Sequence, residues 1–266
     1  EAALYVPSGT MANQVTLKAI SCRGWELICD RECHIVNYEC GGPAVHSGLL
    51  VNFITTQQGM ISADTVRKSV RPKNLHTPET RIVALENTHN GCGGISVSAE
   101  YTRAVGALAK EKGLLLHMDG ARIFNATAAE GVPARVLVEP ADSVTFCLSK
   151  GLCAPVGSVL CGSKPFIRQA HRIRKQLGGG MRQAGILAAA GIVALETMVD
   201  RLAEDHARAR HLAEGLQEIA GLEMDPGTPY TNMIFTGISE QVPQETRAIV
   251  TRLAELGVRV GVTGKR

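Results

Sequence analysis

RIVALENTHNGCGGISVSAEYTRAVGALAKEKGLLLHMDGAR, residues 81–122, decides the fold. RIVALE at 81–86 and LLLHMD at 114–119 are short apolar runs of the length of buried strands. Between them SAEYTRAVGALAKEKG, 98–113, reads as a helix. Ser98 is placed to cap its first turn, Glu100 suits the positive end of the helix dipole, and Lys110, Lys112 and Gly113 suit the other end. A strand, a helix and a strand in that order form a right-handed crossover, which requires neighbouring parallel strands. SVTFCLS at 143–149 and GSVLCG at 157–162 continue the series. The chain is therefore expected to be an α/β protein with a mostly parallel sheet flanked by helices.

Outward from this segment, a basic helix KPFIRQAHRIRKQ at 164–176 ends at the triple glycine 178–180, and a long helical pattern runs from Met181 to about Ala220. DPGTPYTN at 225–232 then breaks the pattern, followed by an expected strand MIFTGI (233–238), a helix PQETRAIVTRLAELG (243–257) and a strand VRVGV (258–262). The division expected is a large α/β domain over 1–220 and the start of a smaller α+β domain over 221–266, left incomplete. The first residue is Glu1 rather than Met, and GKR follows VRVGV directly, so either end is expected to be cut.

The 266 residues are 45% hydrophobic and 20% charged with mean hydropathy +0.05, enough apolar material for a packed core. Lys+Arg 28 and Asp+Glu 25 are interspersed, and a net charge of +3 argues against a nucleic-acid partner. No apolar run reaches the ~18 residues of a membrane span and no signal-like segment opens the chain, so a cytoplasmic location is expected. None of the 8 cysteines forms a CxxC pair, which suits reduced thiols. Cys29 and Cys33, flanked by Cys22 and Cys40 with His34 adjacent, raise the idea of zinc, but only one pair is closely spaced. Small buried side chains are the simpler reading, and no metal is expected.

Ligands of parallel sheets bind at the carboxyl ends of the strands. Asp119 ends LLLHMD, Lys150 follows SVTFCLS, and Glu86, Asn87 and His89 follow RIVAL, so an acid, an amine and an imidazole are expected in one crevice. In YVPSGTMANQ, 5–14, a Ser-Gly-Thr turn opens a helix near Met11, and its free N–H groups and two hydroxyls suit a phosphate. A phosphate cradle, a carboxylate for a ring nitrogen and a lysine for a Schiff base are what pyridoxal 5'-phosphate requires.

SGTMANQ (8–14), ENTHN (86–90), HMDGAR (117–122), SKGLCAPVGS (149–158) and LGGGMRQAG (177–185) resemble, in order, the motifs of the low-specificity L-threonine aldolases. These belong to the β-eliminating lyase group of fold-type I pyridoxal-phosphate enzymes. The resemblance implies a fold-type I, transferase-like architecture and cleavage of threonine or allo-threonine to glycine and acetaldehyde. It implies that Lys150 is the Schiff-base lysine, that Asp119 pairs with the pyridinium, and that Ser8, Gly9 and Thr10, with Ser149, help bind the cofactor. His34, in RECHIVNYE (31–39), would stack on the ring, Arg122 would grip the substrate carboxylate, and His89 would be the base near the β-hydroxyl. The partners implied are a small amino-acid substrate and a second copy of the chain, as a homodimer or homotetramer with shared active sites to which Lys175 and Arg182 contribute. Cys153 stands where the family more often has glycine. The family's N-terminal segment with a substrate-binding serine is expected to be missing, as is its second carboxylate-binding arginine unless Arg266 is that residue. β-Elimination, transamination, or a catalytically silent interaction subunit are the alternative readings.

Overall fold

The crossover expected between 81 and 119 is present, and it lies at the centre of the molecule. In the computed structural model, which describes residues 1–225 and 227–263, the chain runs β1 (Ala2–Val6), α1 (Gly9–Ile20), β2 (Glu26–Asp30), α2 (His34–Asn37), α3 (Gly42–Ser47), β3 (Leu50–Ile54) and α4 (Ala63–Ser69). It continues through β4 (Thr80–Glu86), α5 (Ala99–Lys112), β5 (Leu115–Asp119), α6 (Ile123–Glu130), α7 (Ala134–Leu137), β6 (Ser143–Cys147) and β7 (Ser158–Gly162). Then come α8 (Lys164–Gln176), α9 (Gly185–Thr197), α10 (Leu202–Gln217), β8 (Leu222–Glu223), β9 (Gly237–Ile238) and α11 (Thr246–Glu255).

The large sheet has the order β1-β7-β6-β5-β4-β2-β3. Strands β2 to β6 are parallel, whereas β7 runs antiparallel to both β6 and β1. Helix α5 begins as expected, with Ser98 Oγ accepting from Tyr101 N–H at 3.2 Å, and Gly113 ends it at φ 65°, a left-handed conformation that glycine adopts without steric cost. Its apolar stripe, Val105, Leu108 and Ala109, packs on Val83, Leu85, Leu116 and Met118 of β4 and β5. On the opposite face α1 and α8 join β1 and β7 through Val15, Leu160, Ala170 and Ile173. Each of the larger side chains among these, Val, Leu, Ile and Met, contributes about 2 kcal/mol by leaving water, so the two helix layers hold the sheet and align its strand ends.

The structure corrects the C-terminal third. The helix expected from Met181 to Ala220 is two helices, α9 and α10, separated at Met198–Arg201 by turns in which Arg201 and Leu202 N–H bond back to Met198 and Val199. Thr197 Oγ1 donates to the Val193 carbonyl at 2.7 Å, a side-chain bond that bends a helix, and the new direction buries Leu202 against Leu148 and Leu152. Packing thus overrides a continuous propensity. Of MIFTGI only Gly237–Ile238 forms a strand, against Leu222–Glu223, and 258–262 carries no strand because it meets no ladder partner among the described residues. Arg266 lies outside the described residues. No helix among them is long and apolar enough to cross a membrane.

Candidate active site

The parallel strands end together at one edge of the sheet, and the reactive groups follow from those ends. Register places Glu86 beside Asp119 and Asp119 beside Thr145. Asp119 is buried, with Oδ1 accepting from Ala121 N–H at 3.1 Å and Oδ2 from Asn13 Nδ2 at 2.8 Å. Asn13 comes from α1, and the same Nδ2 also donates to Glu39 Oε1 at 2.8 Å. Glu39 in turn holds His34 Nδ1 at 2.9 Å and accepts from Gln14 Nε2 at 2.5 Å. Asp119, Glu39 and His34 thereby offer polar atoms within 4.8 Å of one another. The hydrogen bond to Glu39 raises the His34 pKa above the ordinary imidazole value, against the downward push of partial burial and with help from the Asp119 and Glu86 charges. Glu86 fastens the loops around it by accepting from His34 N–H and Asn90 N–H, both at 2.7 Å.

Helix α1 starts at this same edge. Ser8 caps it, with Oγ accepting from Met11 N–H at 3.2 Å, and Ser8 and Thr10 are exposed. A side chain at Gly9 would come within 2.8 Å of Cys147 Sγ, so only glycine lets the helix start sit on the end of β6. Lys150 lies just beyond that strand end, half-buried, and its Nζ makes no hydrogen bond or ion pair among the described residues. Ser149 beside it is exposed. Cys153 is exposed and left-handed at φ 61°, a backbone region that glycine adopts without steric cost. Arg122 follows β5 and donates from Nη1 to Asn90 Oδ1 at 3.0 Å.

His89 is fully buried, with Nε2 3.4 Å from Asp30 Oδ1 and 3.7 Å from Cys33 Sγ. Burial pushes its pKa down, but hydrogen bonds with Asp30, Cys33 and Cys92 and the charge of Glu86 outweigh it and raise the net value. Buried, with Nε2 facing Asp30 and Cys33, His89 is less accessible to a substrate than the half-buried His34. His34 keeps an Nε2 with no hydrogen bond among the described residues, and that atom is open to a ligand. The metal-competent groupings among the described residues contain none of Cys22, Cys29 and Cys40, so the cysteine quartet does not converge on a zinc site.

Asn13, Glu39 and His117 escaped the sequence reading. His117 stands two residues before Asp119 on β5 and hence on the same face of the strand, a period-two signal that was there to be read. Asn13 and Glu39 carried no such signal, because only folding brings α1 and the loop after α2 to the end of β5.

A family model described as beta-eliminating lyase matches residues 1–241. The chain is 44% identical over 263 residues to low-specificity L-threonine aldolase 1 of Arabidopsis thaliana, covering 97% of this chain and 73% of that one. It is 43% identical over 242 residues to the low specificity L-threonine aldolase of Escherichia coli (strain K12), covering 91% of this chain and 71% of that one. Among solved structures, the threonine aldolase of Leishmania major superposes with a TM-score of 0.80 at 20% identity over 96% of this chain and 72% of that one, which shows a shared fold.

Proposed function

The chain belongs to the beta-eliminating lyase family, and from that premise we propose that it is a carbon–carbon lyase with pyridoxal 5'-phosphate as cofactor, cleaving L-threonine and L-allo-threonine to glycine and acetaldehyde. The observation that carries this reading is the meeting, at one sheet edge, of a buried carboxylate, Asp119, a half-exposed imidazole backed by Glu39, His34, and an unpartnered amine, Lys150, beside the start of α1. That donor set fits the cofactor. Lys150 would hold its aldehyde carbon, Asp119 would face its ring nitrogen, Ser8, Gly9 and Thr10 with Ser149 would take its phosphate, and His34 would cover its ring. When bound, the cofactor supplies an electron-poor ring that accepts the electron pair left at Cα after Cα–Cβ cleavage.

The protein's own residues do the rest. The planar guanidinium of Arg122, steadied by Asn90, suits a bidentate grip on the substrate carboxylate, which orients the bond to be broken. His34, with Nδ1 tied to Glu39, would accept the β-hydroxyl proton at Nε2, directly or through water. His89, buried with Nε2 3.4 Å from Asp30 Oδ1, would anchor the loop after β4 rather than act on substrate. Asp119 would hold the ring proton.

We read residues 1–220 as the cofactor-binding domain and 221–266 as the beginning of a smaller one. The eight cysteines are unpaired, which suits the reducing cytoplasm. Helix α9 is apolar on every side yet exposes Ile186, Ile192 and Val193, and the exposed Lys175 and Arg182 precede it. A second copy of the chain, in a homodimer or homotetramer that completes the active site, would cover that surface.

The test is product analysis. Threonine should yield glycine and acetaldehyde in equal amounts, whereas pyruvate with ammonia would mean elimination instead. Lys150→Ala should abolish turnover and also the borohydride-reducible attachment of the cofactor. Attachment persisting in that variant would overturn the lysine assignment.

A further inference from the structure

Asn13 is 2% exposed, and every hydrogen-bonding position of its amide is used. Nδ2 donates to Glu39 Oε1 and Asp119 Oδ2, each at 2.8 Å, while Oδ1 accepts from Thr145 Oγ1 at 2.9 Å and from His117 Nε2 at 3.2 Å. The orientation of the amide is forced, because the flipped form would aim a carbonyl oxygen at two carboxylates. His117 must then present an N–H at Nε2, which leaves Nδ1 to accept from Ser143 Oγ at 3.0 Å. Full burial keeps this imidazole neutral, as that pattern requires.

The two acids have polar atoms within 4.8 Å of each other in a buried site. A pair of carboxylates so placed ordinarily shares a proton, because both cannot ionise against each other's charge. One NH2 group donating to both removes the reason to share. The two acids do not depend on it equally. Glu39 keeps Gln14 and His34 if Asn13 is lost, but Asp119 keeps only the Ala121 N–H. The other charged groups near Asp119 are Glu86 on β4, which adds to the repulsion, and His34 and Arg122, which oppose it.

We propose that Asn13 is a positioning residue of the cleavage site: its amide, oriented by His117 and Thr145, keeps Asp119 and Glu39 ionised side by side, so that one can hold a ring proton while the other holds His34. This rests on the cofactor reading above for its catalytic consequence, while the ionisation it describes belongs to the protein alone.

The experiment is infrared spectroscopy of the cofactor-free protein at neutral pH, in the carboxylic-acid C=O region. Asn13→Ala minus wild type should show a new protonated-carboxyl band, and that band should vanish in the Asn13→Ala, Asp119→Asn double variant. The affinity for pyridoxal phosphate, measured by fluorescence quenching, should fall about tenfold in Asn13→Ala. Asn13→Leu keeps much of the volume but has neither a donor nor a titrating group, so it should show the same band if the alanine variant does not fold. A folded Asn13→Ala or Asn13→Leu protein with no new band, or with a band that survives removal of Asp119, overturns the proposal. Failure of the lyase reading would appear instead in the products from threonine, with the infrared result unaffected.

Discussion

Replacing His117 with Gln turns the buried network into a measurable pH dependence. His117 is completely buried between Ser143 and Asn13, and that burial, partly offset by the Asp119 charge, lowers its pKa to about 4. In the unfolded chain the same imidazole titrates near 6.5. Between those two values the unfolded state binds a proton that the folded state refuses, so folding stability is complete at neutral pH and is lost as the pH falls from about 6.5 towards about 4. At roughly 1.4 kcal/mol per pKa unit, the interval corresponds to about 3 kcal/mol, a large part of the 5–15 kcal/mol that typically separates folded from unfolded chains. Gln can still donate to Asn13 Oδ1 and accept from Ser143, but it does not titrate. The assay is urea unfolding of the cofactor-free wild-type and His117→Gln proteins at about pH 7 and about pH 4.5. Carboxyl groups titrate in both proteins and cancel in the comparison. The wild type should lose about 2–3 kcal/mol more than the variant over this range, and an equal loss in both would refute a buried, neutral His117.

Glu39→Gln removes the charge that raises His34, so the acid limb of the kcat/KM profile, which follows deprotonation of His34, should move to lower pH; an unmoved limb would exclude His34 as the proton acceptor. Ser8→Ala deletes the cap of α1 and should lower stability by about 1 kcal/mol in thermal unfolding, together with weaker retention of the cofactor phosphate on dialysis. Ile186→Glu with Val193→Glu places charges on the apolar face of α9 and should shift sedimentation to smaller species; unchanged sedimentation would show that another surface holds the copies together.

How much of the site could be read in advance varies from residue to residue, for identifiable reasons. The places of Asp119 and Lys150 at strand ends were legible because strand and helix periods place strand ends, and in a parallel sheet strand ends are where ligands bind. Ser8 was legible because a cap is a local event, decided within a turn of chain. The surroundings of His89 were not legible, because its spacing after β4 says nothing of Asp30, which reaches it from β2. The break between α9 and α10 was missed for a similar reason, since the pocket that takes Leu202 is built by Leu148 and Leu152 from another part of the chain.

By itself the sequence determined the crossover at 81–119, the layering of helices on a mostly parallel sheet and the family motifs, because each depends on periodicity and turn chemistry within a few tens of residues. The tertiary structure alone decided which imidazole is open and which is locked, and that Asn13 from α1 holds Asp119 from β5 and Glu39 from the loop after α2 in one frame. Charge states in a buried site depend on what lies within a few ångströms in space, and those neighbours are separated by up to 132 positions along the chain.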